Sequence, residues 1–425
     1  MHLNLDKVGK QIFYQRLQQK MTQEELCQGI CSVSYLSKIE NGKIEASEEI
    51  LQLLCTRLEI AVSDLRDVEA EVKEKLNQWL EAFIHLEKEK IELLYNELQS
   101  EMQYVHDFEI INYYKLLYTR YLIMHRDMPA LEIELDKLKK VYKKCSPFQQ
   151  LLYTYSKGML YCLRHRWKEG INYLIKVEAM AKEQGYYETG IYYNLALTYT
   201  HLEMHHLSLY FANIALEGFR NEHQFRHAMN CQILVALSYA EKGQYDEAQA
   251  MYESLLRESK SFAEHHVIAA IVLSNMGNIH YKKKEYEEAK KYYIKCLEYI
   301  RTEDLNYIDT LYELSLQCIC LGQLEEAKEH IDKGIVVAKK EEKFRVLLHL
   351  LLMLRYKYFE EPTAYKIFLE TEAIPFFVKE GKSGDLKEAY MELGNYFEQK
   401  ANFEKSSYYY KKAIKVLENM KGEKK

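Results

Sequence analysis

Proline is scarce in this chain, with four residues in 425, and glycine is little commoner at sixteen. Both residues interrupt regular elements, so their scarcity excludes a hairpin-rich β fold and predicts an almost wholly helical one. No run of eighteen apolar residues occurs, which excludes a hydrophobic membrane span. The opening MHLNLDKVGK has no apolar stretch of the kind a secretory leader needs. Cysteine is sparse and scattered: nine residues, an odd number, with Cys27/Cys31 and Cys318/Cys320 the only close pairs and neither at zinc-site spacing. A disulfide framework is therefore not expected; reduced, buried thiols in a cytoplasmic protein are. An excess of positive charge is also missing. Against 58 Lys+Arg stand 64 Asp+Glu, so the chain as a whole is no general nucleic-acid surface. There is no Gly-rich phosphate loop, no nucleophile elbow and no suggestive carboxylate pair. Neither catalysis, a cofactor nor a metal is expected.

What is present starts at Met21–Lys43, MTQEELCQGICSVSYLSKIENGK. Thr22 with Glu25 three residues on forms a capping box, which starts one short helix. Leu26 and Ile30 give that helix a buried face. Ser32 or Ser34 starts a second helix with Leu36 and Ile39 turned inward. That leaves Ser32, Val33, Ser34, Ser37 and Lys38 outward, where a recognition helix meets base edges. Gln23 and the Asn41-Gly42-Lys43 turn are placed to hold phosphates, which position without specifying. An upstream helix carrying Ile12 and Leu17 and a downstream one at about Ser47–Leu58 complete a compact five-helix domain ending near Leu65. The run Q-E-E-L…S-Y-L-S-K-I-E-N-G-K resembles the phage-repressor-like (XRE) helix-turn-helix family over about sixty residues, which implies operator DNA as a partner. Residues 1–66 hold eight Lys/Arg and nine Asp/Glu. Lys7, Lys10, Arg16, Lys20, Lys38 and Lys43 all come before residue 44. So weak a basic footprint predicts reliance on two half-sites and a homodimer or higher homo-oligomer.

From residue 79 onward, bulky residues recur where a second helix of a hairpin would begin: Trp167, His205, Tyr245, Tyr286, Leu324 and Phe403, at spacings of 38, 40, 41, 38 and then 79 residues. The double spacing predicts one degenerate repeat near Arg355–Phe377, where Pro362 and Pro375 break the pattern. Stepping back from Trp167 predicts further starts near Met128 and Glu89. Small residues accompany the period on first helices (Ala196, Gly277, Gly394) and on second helices (Ser208, Ala289, Ser406), letting the paired helices approach closely. This array resembles the tetratricopeptide family with lengthened helices. The expected organisation is a helix-turn-helix domain at 1–66, a charged helical linker at 67–78, and a right-handed superhelix of about eight or nine hairpins at 79–425 with a concave inner surface. In that register the first helices turn Arg120, Asn194, Asn230, Asn275, Asn278, Asp309 and Tyr312 inward. A side-chain amide both donates to and accepts from a peptide backbone. Asparagine is also a poor helix former, so four such positions invite a reason; the alternative is that each is solvated or bonds a neighbouring helix.

His201 and His205 lie one helical turn apart, but Glu203 is not at HExxH spacing, so structural histidines are expected there rather than a metal site. Most of the 37 tyrosines occupy repeat core slots. An XRE helix-turn-helix ahead of a long tetratricopeptide array resembles the RRNPP group of Gram-positive quorum-sensing regulators. That resemblance implies a cytoplasmic transcription factor that takes a short re-imported signalling peptide inside the repeats, its backbone clamped by asparagines; Asn194, Asn230, Asn275 and Asn278 fit. It also implies a rival: a Rap-like phosphorelay inhibitor that binds a sporulation response regulator when peptide is absent. A phosphatase variant of that rival would need a side-chain amide such as Gln99 or Gln103.

Overall fold

The computed structural model describes residues 5–60, 68–263, 265–302 and 304–422, and the regular elements among them are all helical. No described helix is long and apolar enough to cross a membrane. The chain divides into two compact units, Met1–Ser238 and Tyr239–Lys425.

The first unit opens with α1 (Leu5–Gln18), α2 (Gln23–Cys27), α3 (Val33–Glu40) and α4 (Glu48–Arg57). The capping box forms as the sequence predicts: the Thr22 side chain accepts from the Glu25 N–H, and the Glu25 carboxylate accepts from the Thr22 N–H at 2.6 Å. Ser32 caps α3 and Ser47 caps α4. Leu26, Leu36, Ile39, Leu51, Leu54 and Leu58 make the core with Val8 and Ile12. Four helices are described where five are expected, and residues 61–67, at the expected end of the domain near Leu65, lie outside the described residues. Gly9 lets α1 approach α3: a Cβ there would stand 1.8 Å from the Ile39 carbonyl oxygen.

Helix pairs follow in the same unit: α5 (Val68–Ile84) with α6 (Lys88–Glu101), α7 (Phe108–Met124) with α8 (Met128–Lys139), α9 (Pro147–Leu163) with α10 (Trp167–Glu183), and α11 (Thr189–His201) with α12 (His205–Asn221). Residues 67–78, expected to be a charged helical linker, are helical from Val68 as part of α5. Val72 and Leu76 are fully buried in the same core as Trp79, whose indole N–H donates to the Ile91 carbonyl at 3.1 Å. Helix α13 (Phe225–Glu241) runs across the unit boundary and is followed by α14 (Tyr245–Ser259). The second unit continues with α15 (His265–Lys282) and α16 (Tyr286–Leu297), α17 (Leu305–Cys320) and α18 (Leu324–Ala338), α19 (Arg345–Phe359) with α20 (Pro362–Phe368) and α21 (Ile374–Lys379), and α22 (Ser383–Gln399) with α23 (Phe403–Gly422).

The six bulky residues read as starts of second helices, Trp167, His205, Tyr245, Tyr286, Leu324 and Phe403, and Met128, near which a further start is expected, are each the first residue of one. Two residues before each start the backbone turns left-handed, at Arg126, His165, Glu203, Gly243, Lys284, Gly322 and Ala401. Only two of those seven are glycine, so most turns hold an L side chain where it costs about 1–2 kcal/mol. The scarcity of glycine therefore reflects strained turns as well as long helices. The degenerate repeat lies where the doubled spacing placed it, but Pro362 starts its second helix instead of breaking it. Pro375 is carried by a π-helical turn at Leu369–Ala373 just before it, a wider turn that absorbs a missing N–H.

Gly277 and Gly394 explain the close approach of paired helices. A Cβ on Gly277 would meet the Tyr293 ring at 2.8 Å, and one on Gly394 would meet Tyr410 at 2.3 Å. The next residue completes the arrangement in both repeats: Tyr293 Oη donates to Asn278 Oδ1 at 2.7 Å, and Tyr410 Oη to Asn395 Oδ1 at 2.8 Å.

Candidate functional site

The α3 surface and its supports come first, because they are local. Ser32, Ser34 and Lys38 are exposed, Val33 is 38% exposed, and Lys43 beyond the helix is exposed too. Ser37 is half-buried, and Asn41 Nδ2 donates to its carbonyl at 2.6 Å, closing the helix end. Behind this face Arg16 and Glu40 form a buried two-pronged ion pair at 2.7 and 3.0 Å, and Arg16 also donates to the Met21 carbonyl at 2.9 Å. This corrects the electrostatic reading: Arg16 is internal and adds nothing to a basic surface. Gln23, read as a phosphate contact, donates its amide to Glu40 at 2.6 Å and is half-buried. The result is a stiff scaffold that presents a small polar face with Lys38 at its edge.

In the repeats of the first unit, first-helix side chains together with the start of α6 and Phe219 of α12 line a cavity of about 800 Å³, within the range that holds a peptide fragment or small ligand. Arg120, Asn194 and Asn230, three of the seven expected residues, line it together with Phe83, Met124, Tyr155, Tyr193, Glu188, Phe219 and His227. Arg120 is buried. Its guanidinium forks onto both Glu188 oxygens, with Nη1 at 3.0 Å, and lies over the Phe83 and Tyr155 rings at 5.6 and 5.0 Å. Burial alone would lower the Arg120 pKa, but the Glu188 charge outweighs it and the net shift is upward. Tyr186 Oη donates to the same carboxylate at 2.7 Å. Asn194 Nδ2 donates to Tyr155 Oη at 2.9 Å, and burial pushes the Tyr155 and Tyr193 hydroxyls up to about 12. His227 is pushed down to about 4 by burial, with Arg226 and Lys88 adding to the shift, so it is neutral at pH 7.

In the second unit Asn275 and Asp309 line a separate, much smaller cavity of about 130 Å³ with Ser274, Cys296, Asn306 and Thr310. Asn275 Nδ2 already donates to its own helix, to the Ile271 carbonyl at 2.9 Å. Asn278 and Tyr312 line neither cavity. Asn278 Oδ1 tethers its helix to Tyr293 of the paired helix, an arrangement repeated at Asn395. Desolvation raises the Asp309 carboxyl. Glu313, one turn on, is pushed up to about 7 by burial and then by Asp309. Burial and then the Glu388, Glu313 and Asp385 charges raise the Tyr312 hydroxyl.

Glu188, Tyr186 and His227 were missed in the sequence. Glu188 is 68 residues from Arg120, and no spacing rule links them. His201, set aside above as structural, stacks on Trp167 at 3.9 Å, and burial followed by His165 lowers its pKa.

Comparison with known proteins agrees with this architecture. The Helix-turn-helix family matches residues 12–65, and Tetratricopeptide repeat families match 231–261 and 268–340. Two solved structures of the quorum sensor NprR are similar. The apo form from B. thuringiensis is 60% identical over 82% of this chain and 99% of that one, with a TM-score of 0.74. The complex of NprR with its cognate peptide NprX is 59% identical over 83% and 100%, with a TM-score of 0.70. The transcriptional activator NprA of Geobacillus stearothermophilus is 26% identical over 93% of this chain and 99% of its own length, and the response regulator aspartate phosphatase I of Bacillus subtilis (strain 168) is 23% identical over 82% and 91%. At 60% identity across almost the whole of a solved relative, the chain belongs to the NprR family of quorum-sensing transcriptional regulators, a helix-turn-helix joined to tetratricopeptide repeats.

Proposed function

We propose that this chain is a cytoplasmic, non-enzymatic regulator that reads operator DNA through Ser32–Lys38 and takes a short signalling peptide on the first-helix face of its repeats. The reading divides the chain into a DNA-binding domain at 1–66 and a peptide-binding array that begins at α5. One observation carries it: a cavity of about 800 Å³ lined in part by Asn194 and Asn230 is present in the same chain as a capped helix with an exposed polar face. The asparagines would pair with the peptide backbone, and the apolar wall of Phe83, Met124 and Phe219 would take its side chains. Asn275 and Asp309 of the second unit are further candidates for the peptide backbone. Gln23 and Lys43 would lie beside phosphates. A small basic footprint leads to a homodimer or higher homo-oligomer on two half-sites, and the peptide favours that form by binding it better than the alternative.

The peptide NprX, which the solved relative holds, is the probe. Calorimetry with the full chain should detect it, and light scattering should show its addition shifting the assembly. No heat in the first experiment, with operator binding intact, would remove the peptide half of the reading. A second reading is favoured by the likeness to the aspartate phosphatase: the chain would also hold a response regulator when peptide is absent. Gln99 and Gln103 are both exposed near the end of α6. Loss of phosphate from a phosphorylated response regulator, abolished by Gln99→Ala or Gln103→Ala, would replace the non-enzymatic assignment.

A further inference from the structure

Three donor atoms of three different chemistries meet between α17 and α18. Cys318 Sγ, a Glu326 carboxylate oxygen and a His330 ring nitrogen all lie within 4.8 Å of one another. Glu326 and His330 are four residues apart on one face of α18, and Cys318 faces them from the partner helix. That is how a helical hairpin offers ligands to one ion. Cys320, two residues on, is exposed, so the close cysteine pair of the sequence points its thiols in different directions and only one belongs here.

The site has an unmet need. His330 Nε2 is buried without a hydrogen-bond partner, and the nearest carboxylate oxygen, Glu326 Oε1, stands at 3.7 Å, beyond hydrogen-bond reach. A buried ring nitrogen without a partner carries a desolvation penalty that something should offset. Glu326 is already oriented. Its Oε2 accepts from Lys290 Nζ at 2.6 Å, and Lys290 is itself held by Gln323 Oε1 at 2.7 Å, so Oε1 is left towards the histidine. A carboxylate fixed from behind in this way is the usual support for a metal ligand. With bond lengths of 2.0–2.3 Å, donors on a tetrahedral zinc ion stand roughly 3.3–3.7 Å apart. The Glu326–His330 separation of 3.7 Å is within a few tenths of an ångström of that range for an oxygen and a nitrogen, and with every pair inside 4.8 Å no gap has to close by more than about 1.5 Å, within the range of a side-chain rotation.

We propose that Cys318, Glu326 and His330 bind a divalent transition-metal ion of the zinc class, clamping α17 to α18 and leaving a fourth position for water. Sulfur and nitrogen donors favour this class over magnesium or calcium, which take oxygen. The metal-free site is a thiol whose pKa burial raises to about 11, beside an imidazole whose pKa burial lowers. The ion therefore enters by displacing one proton, from Sγ to solvent, with no change in oxidation state. The Lys290 ammonium opposes a second positive centre, so the affinity is set against a fixed charge. The proposal does not depend on peptide or DNA binding.

Cobalt(II) chloride titrated into the full-length protein, kept reduced with a phosphine, tests it by absorption. One equivalent should produce a thiolate-to-cobalt charge-transfer band, displaced by zinc. Cys318→Ser should abolish the band, His330→Gln should weaken binding at least roughly 10-fold, and Cys320→Ser should change nothing, with circular dichroism showing helix retained in all three. A band that survives Cys318→Ser, or no band in the unsubstituted protein, overturns the assignment.

Discussion

Replacing Glu188 with Gln would leave the Arg120 guanidinium charged and buried with its partner neutralised. Both side chains are under 8% exposed, both carboxylate oxygens are engaged by Arg120, and Tyr186 donates to the same group. An exposed ion pair would be worth about 0–1 kcal/mol. Removing one partner of a buried pair instead costs about 3–5 kcal/mol, because the remaining charge is uncompensated. With a urea slope of about 3 kcal/mol/M, that is a midpoint shift of roughly 1–1.7 M. The assay is selective by construction. The protein has two tryptophans, Trp79 and Trp167, and both lie in the first unit, so indole fluorescence follows that unit's unfolding. Arg120→Met should cost a comparable amount. The double variant Arg120→Met/Glu188→Leu should cost less than either single change, since two apolar side chains leave no unpaired charge. Single variants that shift the midpoint by less than about 0.3 M, or a double variant as unstable as the sum of both singles, would refute the reasoning.

Four further outcomes follow from the same geometry. Ser34→Ala with Lys38→Ala should abolish operator binding in a gel-shift assay while helix content and peptide affinity stay unchanged; retained binding would move the DNA contact off α3. Gly9→Ala should loosen α1 against α3 by at least about 1–3 kcal/mol through overpacking at the Ile39 carbonyl, read as faster amide exchange in both helices with α7 and α9 unaffected. Asn230→Ala and Asn275→Ala should each weaken the peptide by about 1–3 kcal/mol, roughly 5- to 150-fold, whereas Asn402→Ala, at a turn where that residue's Oδ1 accepts from the Lys405 N–H at 3.1 Å, should not. For Glu313, with its pKa raised to about 7 by burial and then by Asp309, the folded state holds the proton more tightly than the unfolded. Its contribution to stability is therefore complete below its ordinary 4.5 and lost as pH rises through about 7. Glu313→Gln should flatten that dependence and raise the stability of the second unit at pH 8, followed by exchange of the α17 amides; an unchanged pH profile would contradict the assignment.

The helices and their starts were legible in the residues because the signals are local. A capping box, an N-cap serine and a bulky residue at a fixed distance past each turn all act within a few positions of where they stand. Thr22, Ser32 and the seven second-helix starts accordingly fall where the pattern put them. The inward register of the first helices was legible for the same reason, and it brought Arg120, Asn194 and Asn230 to one cavity. What those side chains do once there was not legible. Arg120 and Asn278 both read as ligand contacts, yet one is neutralised by Glu188 and the other ties α15 to α16 through Tyr293. Arg16 read as surface charge, yet Glu40 holds it inside. The left-handed turns at Lys284 and Ala401 carry no glycine to announce them. In each case the deciding partner lies in another helix, and its identity depends on how the helices stack. Periodicity along one chain determines which face of a helix is turned inward; only the packed structure decides whether a polar group on that face is left open for a ligand or already satisfied by its neighbour.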